Sequence, residues 1–318
     1  MKNSIILCMF IFIVGCSHNV KKSQLIPLPS KTVYRTEVVN GHKMFYREAG
    51  DKSKDTVLLL HGYPSSSHTF RELIPVLSSQ YHVIAPDNLG SGFSAKPNPN
   101  KITYTFDLLA NQIEGLLKKK NIKKFFVYMQ DFGAPVGYRV ILNDPSRVKG
   151  IIAQNANAYL DGLTKKRIEF FMTAGDEGSV YSDDRLFKIV TPKSIINTQY
   201  LRDIDKDKTY IMSPDSWTHD LAFLKTKQER KIQVQLFKDY RTNLNAYPVW
   251  QKYLREHNPP TLIAWGKKDP AFMAAGAEAY LRDVPNADFH LLDAGHFALE
   301  EKPYVIAELM LSFLKKHK

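Results

Sequence analysis

An aspartate on a sharp turn between a strand and a helix is the first residue here that could do chemistry. Residues 125–129 form an apolar run of strand length, Gln130-Asp131-Phe132-Gly133 follow, and a helical stretch begins at Ala134. A carboxylate held on such a turn can attack an electrophilic carbon and form an ester with it. The positive end of the following helix favours the ionised form. Gly133 meets the need for a small neighbour on one side, whereas Met129 is larger than the glycine usual on the other. Taken alone, Asp131 reads equally well as a helix cap.

Three other segments supply what an attacking carboxylate would need. His296, in Asp293-Ala294-Gly295-His296-Phe297, would draw a proton from the water that breaks the ester. Asp269, in Trp265-Gly266-Lys267-Lys268-Asp269, would orient that imidazole and keep it basic. Another place for the acid, after the strand at 151–153, holds only Asn155 and Asn157. The backbone N–H groups of Tyr63, in His61-Gly62-Tyr63-Pro64, and of Phe132 would form an oxyanion hole. His61 is read as a residue that orients this loop.

Each of these groups follows an apolar run of strand length, and the runs define the fold. Strands are expected at 56–60, 81–85, 124–129, 148–153, 261–265 and 287–292, after a tight hairpin through Asn40-Gly41. Helices are expected at 106–117, 134–142, 274–282 and from 303 on. Continuous apolar strands alternating with helices imply an α/β fold with a mostly parallel central sheet covered on both faces. The alternation breaks between 156 and 258, which is helix-like and rich in aromatics and charge. An insertion there implies a mainly helical cap over the carboxyl ends of the strands, where open α/β sheets bind ligands. The expected organisation is a signal at 1–15, a tether at 16–33, a core at 34–155, the cap at 156–258 and the rest of the core at 259–318.

The N-terminus points to export. Lys2 precedes a short apolar run over 5–14, which ends in Val14-Gly15-Cys16 and is too short to span a bilayer comfortably. This ending resembles the lipobox of bacterial lipoproteins, which implies lipidation of Cys16, attachment to a membrane and, with Ser17 next, an outer-membrane destination in a Gram-negative cell. Cys8 and Cys16 are the only cysteines, so the body has neither disulfide nor thiol chemistry. The net charge of +12 is spread over scattered lysines and helix ends, with no basic stripe interleaved with aromatics. That pattern describes solvated faces rather than a nucleic-acid surface. The histidines lack metal-ligand spacing and no phosphate loop follows a strand, so no metal or cofactor is expected.

From Tyr34 onward the chain resembles the α/β-hydrolase group that contains epoxide hydrolases and haloalkane dehalogenases. The carriers are His61-Gly62-Tyr63-Pro64, Pro86-Asp87-Asn88-Leu89-Gly90-Ser91-Gly92, Gln130-Asp131-Phe132-Gly133, Gly266-Lys267-Lys268-Asp269 and Gly295-His296-Phe297. The order nucleophile, acid, histidine also matches that fold's triad. The resemblance implies a small-molecule hydrolase working through an alkyl-enzyme ester on Asp131.

Epoxide and halide substrates need different help in the first step. An opened epoxide leaves an alkoxide that needs an acid, and epoxide hydrolases supply cap tyrosines. Tyr240-Arg241-Thr242-Asn243 resembles the stretch carrying one of them, with Tyr181 or Tyr159 as the second. Dehalogenases usually carry tryptophan directly after the nucleophile and often asparagine in the oxyanion loop, where this chain has Phe132 and Tyr63. Trp217 or Trp250 is the only substitute in the cap. Epoxide hydrolysis is therefore the leading expectation, with a dehalogenase, a lactone or ester hydrolase and a non-catalytic binding module as alternatives.

Overall fold

The computed structural model describes residues 30–318. The segment before Ser30, with the expected signal and Cys16, lies outside the described residues. The chain opens with a hairpin of β1 (Val33–Val39) and β2 (His42–Ala49). Asn40 and Gly41 form its turn with φ of 47° and 80°, the left-handed values that asparagine and glycine accept most readily.

From there strand and helix alternate: β3 (Thr56–Leu60), α1 (Leu73–Ser78), β4 (His82–Pro86), α2 (Phe106–Lys119), β5 (Phe125–Gln130), α3 (Gly133–Asn143) and β6 (Val148–Gln154). An inserted segment follows, carrying α4 (Lys165–Thr173), α5 (Asp183–Ile189), α6 (Pro192–Ile195), α7 (Pro214–Leu221), α8 (Lys227–Asp239) and α9 (Arg241–His257). The alternation resumes with β7 (Thr261–Gly266), α10 (Ala274–Ala279), β8 (Asp288–Leu292), α11 (Ala298–Glu301) and α12 (Pro303–Lys316). The sheet has eight strands in the order β1-β2-β4-β3-β5-β6-β7-β8. Strands β3 to β8 run parallel and β2 runs against both its neighbours.

Burial explains the sequence pattern. Every residue of β3, β4, β5 and β7 is buried, as strands covered on both faces require, and one apolar cluster occupies each face. The expected helix over 274–282 is shorter, because α10 ends at Ala279 and a 3₁₀ turn continues to Arg282. The inserted helices meet the rest of the fold through aromatic side chains as well as hydrogen bonds such as that donated by the N–H of Phe106 to Asp239. Phe237, on α8, meets Phe132 and Tyr63 at ring-centroid distances of 5.4 and 4.8 Å. Among the described residues no helix is long and apolar enough to cross a membrane.

Candidate active site

The backbone at Asp131 is built for close approach. Its φ of 49° is left-handed, a conformation aspartate tolerates better than most residues. A Cβ at Gly62 would stand 2.4 Å from the Cβ of Asp131, and one at Gly133 would stand 2.3 Å from the carbonyl oxygen of Leu60. Both positions therefore demand glycine. Met129 fits beside the turn because Gly137, one helical turn further on, leaves room: a Cβ at Gly137 would meet the Met129 sulfur at 2.2 Å.

The two oxygens of Asp131 have different surroundings. The backbone N–H of Tyr63 donates to Oδ1 at 2.6 Å, while Oδ2 lies 3.5 Å from Nε2 of His296. Gln130 braces the Tyr63 loop, its Oε1 accepting the N–H of Gly62 at 3.1 Å. Its amide nitrogen lies 3.3 Å from the same Nε2. His61 holds the loop too, with Nε2 accepting the N–H of Asn88 at 3.0 Å and Nδ1 3.0 Å from the carbonyl of Gly62.

Behind the histidine, Nδ1 lies 2.6 Å from Oδ2 of Asp269. Asn155 donates to that oxygen at 2.9 Å; the Ala271 N–H at 2.7 Å and Arg202 at 3.1 Å donate to the other. Burial alone would raise the pKa of Asp269, but the charge and hydrogen bond of His296, with Arg202, hold it below the usual range. Burial would likewise lower the imidazole, yet the Asp269 charge and hydrogen bonds to Asp131 and Asp269 push it up to about 10. Asp269 and Asp131 thus both favour the protonated imidazole.

Asn155 is a residue whose role the sequence did not show. Beyond its bond to Asp269, its side-chain oxygen accepts the N–H of Gly266 at 2.8 Å, and its carbonyl accepts the N–H of Asp131 at 3.3 Å. It ties the ends of β5 and β7 together across β6. Asn157 acts one layer further out, donating to the hydroxyl of Tyr247 at 3.1 Å.

The tyrosines divide into distinct groups. Tyr240, between α8 and α9, stacks on Phe171 at 3.8 Å and stands 5.5 Å from the Phe132 ring. Burial, Tyr247 and the Asp131 charge lift its pKa well above the ordinary value, so the phenol keeps its proton. Tyr181 meets Phe170 edge-on at 5.0 Å and lines a cleft of about 410 Å³ with Arg167, Arg185, Gln199 and Phe237. Tyr159 belongs elsewhere: its hydroxyl donates to Asp283 at 2.6 Å, and Arg255 pairs with the same carboxylate at 2.8 Å. The sequence used Tyr63 only for its backbone, yet its hydroxyl is buried with no partner among the described residues. Its pKa is also raised, by burial and then by Asp131. Trp250 stacks on Tyr138 at 4.7 Å and Trp217 packs near Tyr200 at 5.9 Å, both accounted for by packing.

With that geometry in view, the relatives fall into place. The α/β hydrolase fold family model matches residues 55–303. The chain belongs to the α/β-hydrolase family. An uncharacterized hydrolase of Saccharomyces cerevisiae is 40% identical over 290 residues, covering 89% of this chain and 97% of its own. A cis-3-alkyl-4-alkyloxetan-2-one decarboxylase of Shewanella oneidensis is 27% identical, covering 82% of each chain. Among solved structures, an epoxide hydrolase from Vigna radiata superposes with a TM-score of 0.72 at 22% identity, covering 90% of this chain and 98% of the other. A reconstructed ancestral haloalkane dehalogenase gives 0.73 at 21% identity, covering 89% and 98%. At such identities the solved structures speak for the fold alone. This α/β-fold hydrolase is thus related to enzymes of several chemistries, and its substrate must be argued from its own residues.

Proposed function

We propose that this hydrolase opens epoxides to diols through a covalent ester on Asp131. In the first step Oδ2 of Asp131 attacks a ring carbon, the carbon–oxygen bond breaks, and Tyr240 gives its proton to the departing oxygen. In the second step His296, once its proton has passed through solvent to the Tyr240 phenolate, is the neutral base: it takes a proton from water, whose oxygen adds to the carbonyl carbon of the ester. The N–H groups of Tyr63 and Phe132 bear the developing oxyanion until the diol leaves and the Asp131 carboxylate is restored. An aspartate suits a carbon bearing a leaving group, whereas attack on an ordinary carboxylic ester would give an anhydride.

The observation that carries this reading is an N–H-held carboxylate with a buried, protonated phenol close enough to feel its charge. Tyr240 is 1% exposed and feels the charge of Asp131, the arrangement an acid for an alkoxide leaving group needs. The raised pKa of His296 fits the same sequence of steps. Alkylation erases the charge on Asp131, one of the groups holding the proton on the imidazole, so the base is released for the step that uses it. The Tyr63 and Tyr181 hydroxyls are the candidates for a second donor.

The test is turnover of small epoxides set against 1-haloalkanes of the same carbon skeleton. Diol formation without halide release is the expected result; halide release without diol formation would reverse the assignment. Ring-strained lactones are a second reading, favoured by the similarity to the Shewanella oneidensis decarboxylase. Release of carbon dioxide from an oxetan-2-one would select it.

We also propose attachment to a membrane through lipid on Cys16. The described chain enters β1 where Val33 pairs with Glu48, at the end of the sheet where the parallel strands begin. Asp131 follows the opposite end of β5, so a tethered enzyme would keep its site away from the lipid. Incorporation of labelled fatty acid, lost in C16A, tests this.

A further inference from the structure

Arg167 is a cation in the cleft without an anion. It lies in the first turn of α4, where the hydroxyl of Thr164 accepts its backbone N–H at 3.1 Å. Its guanidinium carbon stands 5.8 Å from the ring centres of both Phe170 and Phe171. Stacking of that kind uses the faces of the guanidinium and leaves its N–H edges free. Among the described residues no carboxylate pairs with it. Its neighbour Arg202 shows the contrast, pairing with Asp203 and Asp269.

The setting makes this more than a surface charge. Arg167 is half-buried, and burial and the charge of Arg202 both work against its ionised form, while Asp269, Tyr240 and Asp131 support it. A cation held in such a place without a partner is costly unless something else uses it. Of the ten residues lining the cleft three are cationic (Lys166, Arg167 and Arg185) and none is acidic, so its electrostatics select against cations. Phe237 lines the cleft and also packs on Phe132 and Tyr63, so the cleft and the surroundings of the nucleophile share a wall.

We infer that Arg167 is a carboxylate-binding subsite, and that the substrate of this hydrolase is a small monoanion carrying a carboxylate beside its reactive ring. A planar fork of N–H donors suits a carboxylate. One such cation also offsets the repulsion that Asp131 exerts on an incoming anion. A dianion would meet twice that repulsion with the same single buried partner. Lys166 and Arg185, both exposed at the cleft, add attraction to an approaching acid without fixing its orientation. The inference deepens the epoxide reading and rests on it for the identity of the ring.

The test compares 3-phenyloxirane-2-carboxylate with its primary amide, which has nearly the same shape and no charge. Wild type should favour the carboxylate in kcat/KM. In R167M that preference should fall by about 10- to 100-fold, the span of one or two charge-assisted hydrogen bonds, chiefly through KM of the carboxylate. R167K should recover part of it. An unchanged ratio in a folded R167M, or a wild type that prefers the amide, would overturn the subsite.

Failure of the epoxide reading has a separate signature, because neither compound would then be turned over. Calorimetric binding of 3-phenylpropanoate and 3-phenylpropanamide reads the subsite by itself. Tighter binding of the acid by wild type, lost in R167M, would uphold it; equal binding of acid and amide would end it.

Discussion

Asp131 and Asp269 are held by directional bonds, Tyr240 and Arg167 mostly by rings. On the sheet side, Asp269 accepts from Asn155 and Ala271, and from Arg202 of the inserted segment, while facing His296, and Tyr63 fixes one oxygen of Asp131. On the inserted side, Tyr240 lies against Phe171, Phe132 and Phe106, and Arg167 against Phe170 and Phe171. Hydrogen bonds fix atoms within a narrow range, whereas ring packing tolerates exchange of one apolar shape for another. One fold can thus keep its reacting atoms while its inserted helices change what is admitted. Tyr240 crosses this division, being held by rings yet assigned to chemistry.

The largest effect should come from the sheet side. D131N keeps the shape and the left-handed backbone but removes the nucleophile. Turnover should fall by about 10⁴-fold or more with the melting temperature little changed. Retained activity would leave the division without its anchor.

Y240F probes the crossing point. Loss of one acid should lower kcat for epoxides by about 10²- to 10⁴-fold. An effect confined to KM would return Tyr240 to the selecting side and make the division clean.

N155G tests whether the sheet side depends on its bracing. Glycine accepts the φ of 44° found there, so what is lost is the side-chain bonding to Asp269, Gly266 and Gln154. A fall in kcat of about 10-fold is expected, on the scale of one hydrogen bond to a charged group.

The smallest effect is one of pH on stability. His296 is raised from an ordinary 6.5 to about 10 in the folded protein, so the folded state binds its proton more tightly than the unfolded chain. The resulting stabilisation is full below pH 6.5 and is lost as pH rises through about 10. Melting curves of wild type should therefore fall more steeply over that window than those of H296Q. Parallel curves would mean that the imidazole is not held protonated by the two carboxylates.

The sheet side was also the part legible in sequence, for a physical reason. β3, β4, β5 and β7 are buried along their whole length, so each reads as an unbroken apolar run whose end is marked by glycine or a polar residue. Asp131 and Asp269 lie just past such ends, while His296 follows β8, which is only partly buried. Asn155 was passed over because it looked like a missing acid, when its amide supports the acid on the neighbouring strand. Tyr159 and Tyr181 could not be separated, since the difference between them is a distant partner, Asp283. Arg167 carried no signal, because its meaning lies in the absence of a partner. Met129, larger than the usual glycine, is accommodated by the space at Gly137, a neighbour that sequence spacing does not reveal.

The central claim is an ester on Asp131. Full-length H296Q, which should form that ester but hydrolyse it slowly, would be mixed with a small epoxide or a 1-haloalkane, and its intact mass and peptide map read. A gain equal to the whole epoxide, on the peptide containing Asp131 and absent in the H296Q/D131N double variant, is the expected result. A gain equal to an alkyl group without its halogen would make the enzyme a dehalogenase. Epoxide turnover by wild type with no adduct in H296Q, and heavy oxygen from water entering the product in the first turnover, would contradict covalent catalysis by Asp131.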